Sequence, residues 1–352
     1  MSLLVATNKY IALAKDLHVD YYDYSDHKIV DVPITSKQPE KDYISDIAVS
    51  NDSNYLALVT AFSKQLMIYD LCKMEHQITF IIPRSASRIR FTVDNAKLLV
   101  ADKSGDVLIY DIKKENSGTK LLGHLSLLLD VLQTNDSKYV LSCDRDEKIR
   151  VSCYPNTYNI QTYCLGHKEF VNHIEFLPHN DKYLTSSSGD GTLKIWDYSE
   201  GKLYEQLRQN FINVMDEGGI EMNDSFSLLA VSVHSYNAVI IYTVKNVDNK
   251  FRHQLVEKLE LPRFPVAIKL HNNTLFVYDD VECTVNLYKI VEENGKFSIE
   301  EPRKIAMFEN KTIESESEES QLDFIKVLYK RKFDNVQEYQ ERKKQRLEKS
   351  TK

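Results

Sequence analysis

Four side chains of this 352-residue sequence stand where acid–base or metal chemistry would need them. His124 and His167 each follow a glycine, and Asp146 and Asp190 lie 22 and 23 residues further on. A His–Asp pair that recurs at nearly the same offset could move a proton, because imidazole titrates near neutrality, or could contribute to a metal site. The surrounding residues do not extend either chemistry. His173 and His179 lie nearby, but no His-Glu-x-x-His or comparable ligand spacing occurs. There is no Walker motif, no G-x-S-x-G elbow and no G-x-G-x-x-G; Gly189 and Gly191 start such a pattern, but position 194 is lysine. With 10 glycines in all, little material remains for a phosphate cradle. No catalytic residue, metal ligand or cofactor-binding residue is expected in the chain.

The elements that must position these residues repeat along the chain. LLVADKSGDVLIYDI (98–112), YVLSCDRDEKIRVSC (139–153) and YLTSSSGDGTLKIWDY (183–198) align over an apolar strand, a tight polar turn and an alternating strand that ends near an aromatic and an aspartate. Weaker copies run over 55–71, 227–244 and 274–290, and a seventh over 10–24. Their anchor positions read as Tyr24, Tyr69, Tyr110, Val151, Trp196, Tyr242 and Tyr288, at intervals of 41 to 46 residues. Further strand-like runs between the hairpins, ISDIAVS (44–50), SRIRFTV (87–93), LLLDVLQ (127–133) and FVNHIEFLP (170–178), supply one inner strand per unit.

Gly123-His124 and Gly166-His167 before inner strands, with Trp196-Asp197 closing a unit, resemble the WD-repeat signature. The resemblance implies an all-β fold, a seven-bladed WD-repeat β-propeller over residues 1–308. The last outer strand would come from KFSIEEPRKIAMF (296–308) or from the amino terminus. The resemblance also implies a role for the histidines and acids. In WD repeats the loop His, a strand Ser or Thr, the turn Asp and the Trp form a buried relay. His167, Asp190 and Trp196, and with them His124 and Asp146, then read as structural, since buried polar groups must be paired.

Composition narrows the class. With 42% hydrophobic and 28% charged residues the chain can bury a core, which excludes wholesale disorder. Five scattered cysteines form no C-x-x-C pair, so a reducing compartment is expected. No secretory signal is read in MSLLVATNKYIALAKD. One uncharged run, 225–244, reaches membrane length, but serines, His234 and Asn237 break it into a strand–turn–strand hairpin. The net charge is -7, yet residues 326–352 hold ten cations against four acids and carry +6, which leaves -13 on the rest. A basic arm on an acidic body suits nucleic acid, an import receptor or an acidic partner; the body alone is a poor match for phosphates.

The hairpin of the fourth repeat is unlike the others. Where the fifth has Gly189-Asp190-Gly191-Thr192, the fourth has Arg145-Asp146-Glu147-Lys148, followed by Ile149-Arg150. Four charges in a tight turn are commonly a solvated loop, but on a rigid rim they can also set the register of a docking partner. The stretches GHLSLLLDV (123–131), SCDRDEKIRVS (142–152), CLGHKEFVNHIEF (164–176) and SSSGDGTLKIWDY (186–198), with the closing segment 324–347, resemble the non-catalytic WD-repeat subunit of tRNA (guanine-N7)-methyltransferase. DRDEKIR is the distinctive element.

That resemblance implies a heterodimer with a Rossmann-like, S-adenosylmethionine-dependent methyltransferase. The partner would hold the cofactor and methylate N7 of a guanine in the tRNA variable loop, at position 46. The propeller would do no chemistry and would stabilise the active enzyme. Mapped onto this sequence, Glu147 would meet a basic residue of the enzyme. Arg150 would orient Glu147 or reach an acidic partner residue, and Lys148 and Arg145 would be rim contacts. The rival reading is a general propeller adaptor in ubiquitin ligation or chromatin assembly; a propeller hydrolase would need acids converging in the central channel, for which no motif is found.

Residues 309–323 are acidic and serine-rich and read as a linker. After them Leu322, Ile325, Tyr329, Phe333, Val336 and Tyr339 recur at helical spacing, which predicts a basic amphipathic helix within 324–352. Its cations, Lys330, Arg331, Lys332, Arg342, Lys343, Lys344 and Arg346, suit tRNA phosphates or nuclear import, which makes the nucleus the expected location, with the cytoplasm as a second.

Overall fold

The computed structural model describes residues 2–33, 42–73, 75–115, 117–208, 214–223, 226–247, 250–293, 296–308, 325 and 327–330. Seven antiparallel sheets follow one another along the chain, over 2–31, 44–81, 86–123, 128–165, 171–208, 214–260 and 267–306. Each is a blade whose strands run outward in chain order from the central channel. The expected inner strands are there as Ile44–Val49, Ala86–Phe91, Leu128–Gln133 and Val171–Phe176.

The second strand of each blade is buried along nearly its whole length because it is covered on both faces. Tyr139–Asp144 and Tyr183–Ser188, for example, are buried almost end to end. The core is therefore a series of layers between blades. Ala57, Val59 and Ile68 of blade 2 pack on Leu98, Val100 and Tyr110 of blade 3. Outer strands such as Glu75–Ile81, with one covered face, alternate or lie open.

Ring closure settles the alternative left by the sequence. The last blade takes its outer strand, Arg303–Ala306, from the segment 296–308, while Lys296–Ile299 extends the neighbouring strand as a hairpin. The amino-terminal strand Ser2–Ala6 is instead the inner strand of blade 1. Blades 1 and 7 seal through Leu4, Leu13 and Tyr22 against Phe276, Tyr278 and Val285. The Phe308 amide donates to buried Asp20 Oδ2 at 2.6 Å across the same seam. The run 225–244 is a hairpin, Phe226–Val233 paired with Ala238–Val247, and no helix among the described residues is long and apolar enough to cross a membrane.

Two anchor positions shift. Trp196 pairs with Leu184, and its counterpart in blade 4 is Ser152 opposite Val140, one residue beyond Val151. In blade 1, Ile11 faces Tyr22, which replaces Tyr24. Blade 4 lacks the aromatic that marks the position elsewhere, and blade 1 offers two, Tyr22 and Tyr24, so in both the strand pairing sets the phase. The predicted linker 309–323 and most of the predicted helix lie outside the described residues. Ile325, Val327 and Leu328 are helical, with Ile325 and Leu328 buried and Val327 exposed.

Candidate partner-docking rim

The blade 5 relay takes the expected form. Trp196 Nε1 donates to Ser186 Oγ at 2.8 Å, His167 Nε2 lies 2.8 Å from the same oxygen, and His167 Nδ1 lies 3.0 Å from Asp190 Oδ2. With a neutral ring one proton arrangement satisfies all three: the indole donates to Ser186, Ser186 donates to Nε2, and Nδ1–H donates to Asp190. Burial pushes the pKa of the ring down against the pull of Asp190, which favours that neutral form.

Blade 4 runs the relay with a different acid. His124 Nε2 contacts Ser142 Oγ at 2.8 Å, but Nδ1 reaches Asp144 Oδ2 at 2.9 Å. The expectation that Asp146 is the turn acid is corrected: Asp144, at the place of Ser188, takes the histidine. Its Oδ1 also accepts from the amides of Asp146 and Lys148 and so caps the turn. A carboxylate at the strand end reaches the same loop histidine as one two residues later in the turn, and Asp146 is left free to face outward.

That turn carries the charged rim. Glu147 has φ +71°, the left-handed conformation that Gly191 adopts (φ +75°) in blade 5. For a side chain with a Cβ this conformation costs on the order of 1–2 kcal/mol. Glu147 is half-buried, Lys148 is exposed, and Arg145 is half-buried with its Nε lacking a partner among the described residues.

Arg150 behaves differently from expectation. Its Nε donates to Ser152 Oγ at 2.9 Å, Nη1 to Gly123 O at 3.0 Å and Nη2 to Thr157 O at 2.8 Å. No ion pair joins it to Glu147 among the described residues, and its guanidinium is bonded to acceptors within the propeller. It ties the end of blade 3 to blade 4 and to the loop after its third strand.

Glu147 instead meets Lys330, whose Nζ lies 2.7 Å from Glu147 Oε1 and 3.6 Å from Asp146 Oδ1. The bond to Glu147 raises the lysine pKa. Next to it, Tyr329 donates to Gly189 O at 3.0 Å and sets its ring edge-on to Phe170 at 5.2 Å. Ile325 and Leu328 join the core with Leu129, Cys143, Phe170 and Val171. Burial, reinforced by the charges of Glu169 and Asp190, pushes the Tyr329 hydroxyl up to about 12. Of the predicted tail cations Lys330 alone is described; Arg331, Lys332, Arg342, Lys343, Lys344 and Arg346 lie outside the described residues.

The channel holds charges that the sequence reading missed. Asp46, Arg88, Asp130 and His173 are each the third residue of an inner strand, and Arg90 and Glu175 the fifth. That shared offset was the available signal. Asp46, Arg88, Arg90, His173 and Glu175 line a cavity of about 670 Å³, and Asp130 is fully buried. Arg90 holds Asp130 through two bonds of 3.1 and 2.8 Å and Glu175 at 3.1 Å, Arg88 holds Asp46 at 3.3 Å, and His173 Nδ1 lies 2.9 Å from Asp130. Burial alone would raise the Asp130 carboxyl, but the Arg90 and Arg88 guanidinium groups hold it well below the usual range. Asp46 Oδ2 accepts the Ile89 amide and Asp130 Oδ2 the Ile174 amide, each in the next blade. Acids do converge in the channel, but as hydrogen-bonded staples between blades; Asp46, unlike Asp130, has its carboxyl pushed up by burial. Among the described residues no cluster of three or more His, Cys, Asp or Glu could hold a metal.

Comparison with known proteins covers most of the chain. The model of the tRNA methyltransferase TRM82 WD40 domain matches residues 20–120 and 111–284. Proteins named tRNA (guanine-N(7)-)-methyltransferase non-catalytic subunit wuho are similar from Drosophila mojavensis (32% identical, 87% of this chain and 81% of the relative) and Culex quinquefasciatus (32%, 90% and 80%). One from Aedes aegypti is 34% identical over 76% of this chain and 68% of its own. Among solved structures, the RRP9 WD40 repeats superpose with a TM-score of 0.65 at 20% identity, covering 78% of this chain and 86% of that one. A chain of the mitotic checkpoint complex reaches 0.71 at 14%, covering 83% and 87%. These two show the fold.

Proposed function

The chain belongs to the family of WD-repeat non-catalytic subunits of tRNA (guanine-N7)-methyltransferase, and we propose that this propeller is the scaffold that docks on the catalytic subunit through the rim of blade 4 and holds it in its active conformation. The catalytic partner is a Rossmann-like enzyme that binds S-adenosylmethionine and methylates N7 of the variable-loop guanine. This chain supplies neither cofactor nor reacting group. A scaffold that binds the competent enzyme form more tightly than other forms shifts the population by that difference in affinity.

One observation carries the docking reading. Glu147 stands in a left-handed turn position where glycine would cost less, with its carboxylate at the rim and accepting an ammonium at 2.7 Å. A conformational cost held at a charged side chain that water still reaches points to binding rather than stability. Lys148 and Arg145 flank it as weaker contacts. The tail cations beyond Lys330 suit tRNA phosphates presented by the complex, and the same cations suit import into the nucleus.

Titration calorimetry of the purified catalytic subunit against this chain tests the reading. Glu147→Lys should weaken binding roughly tenfold or more, as expected for a like-charge contact at an interface, with the unfolding midpoint of the propeller unmoved. Equal affinity in both proteins would remove Glu147 from the interface.

A further inference from the structure

The rim that would receive the partner is already filled. Lys330 bridges Glu147 and Asp146 of blade 4, Tyr329 is bonded to Gly189 of blade 5 and stacked edge-on against Phe170, and Ile325 and Leu328 are buried between the two blades. We propose that this segment occupies the docking site in cis, and that the catalytic subunit docks by exchanging a cation of its own for the Lys330 ammonium. The inference rests on the reading of Glu147 as a docking residue.

The two halves of the latch differ in strength. Ile325, Leu328 and the Tyr329 ring are held by packing, whereas Lys330 and Glu147 keep side-chain exposures of 45% and 34%. An ion pair that open to water is weak and screened by salt. The apolar anchor therefore keeps the lysine at high local concentration beside its carboxylate, while the ionic contact remains releasable. The site selects a partner of defined chemistry: a lysine or arginine side chain reaching paired carboxylates at the turn, with the tail remaining packed between blades 4 and 5. It also gives the propeller a threshold, since a surface without a matching cation must leave Lys330 in place.

Two measurements on the full chain test the exchange. Lys330→Ala, which removes an exposed side chain only, should bind the purified catalytic subunit about two- to fivefold more tightly at low salt, the range set by an exposed ion pair. That gain should vanish when Glu147→Gln is present as well. Unchanged or weaker binding by Lys330→Ala would overturn the exchange, and Glu147→Lys, assayed beside it, shows separately whether the rim docks the enzyme at all. In the second measurement Lys330 is acetylated with an amine-reactive reagent and quantified by mass spectrometry. Adding the catalytic subunit should raise its reactivity, and protection would contradict the proposal by placing Lys330 inside the interface.

Discussion

Arg150 donates from Nε to Ser152 Oγ at 2.9 Å, two residues along its own strand, and Ser152 stands where the next blade places Trp196. The fourth blade thus lacks an indole and has a guanidinium in its place, one that also satisfies the carbonyls of Gly123 and Thr157. Arg150→Ala removes three hydrogen bonds and leaves two carbonyls without their donor. We expect a loss of about 2–4 kcal/mol in stability, read as a lower urea midpoint. Once folded, the variant should bind the catalytic subunit like the wild type.

Glu147 separates function from stability in the opposite sense. Glu147→Gly relieves the left-handed backbone at φ +71° and removes a weak exposed ion pair. The propeller should be unchanged or up to about 1 kcal/mol more stable, while affinity for the catalytic subunit falls. A clear drop in unfolding midpoint would mean that Glu147 serves the fold.

The two relays should differ in cost. Ser186 Oγ serves both His167 and Trp196, whereas among the described residues Ser142 Oγ serves His124 alone. Ser186→Ala strands two buried groups and should cost roughly 2–4 kcal/mol, against about 1–2 kcal/mol for Ser142→Ala. Chemical denaturation of both variants checks the order, and equal losses would argue against the shared oxygen.

How much was legible beforehand follows from the same residues. The blade phase shows wherever an aromatic closes the third strand, as at Tyr69, Tyr110 and Trp196. It slips at Val151, where that marker is missing, and at Tyr24, where Tyr22 offers the same marker two residues earlier. Glu147 was visible because a glutamate replaces a turn glycine. The direction of Arg150 was not, because two of its acceptors are backbone carbonyls, one of them 27 residues away, and a carbonyl leaves no mark in a sequence. Asp144 hid behind a gapless alignment that put Asp146 opposite Asp190. The latch by Lys330 could not be read, since it joins residues 183 apart with no periodicity between them.

Stability should fall as the pH is lowered from neutrality. Burial lowers the pKa of His167, and likewise those of His179, His234 and His271. In the unfolded chain these imidazoles take up protons near pH 6.5, while the folded ones do so only at lower pH. The unfolded state therefore binds more protons in that window. The contribution is fully present above about pH 6.5 and is lost as pH drops through the folded values. Denaturation midpoints at pH 7.5 and 5.5 should differ in that direction; a higher midpoint at 5.5 would contradict the buried neutral relay.

The most direct test of the scaffold role is methyl transfer from S-adenosylmethionine to tRNA in four mixtures: this chain, the candidate catalytic subunit, both, and neither. The account predicts N7-methylguanine at full rate only with both chains, none from this chain alone, and a reduced rate when Glu147→Lys replaces the wild type. Full activity from the catalytic subunit alone, unaffected by adding this chain, would contradict it.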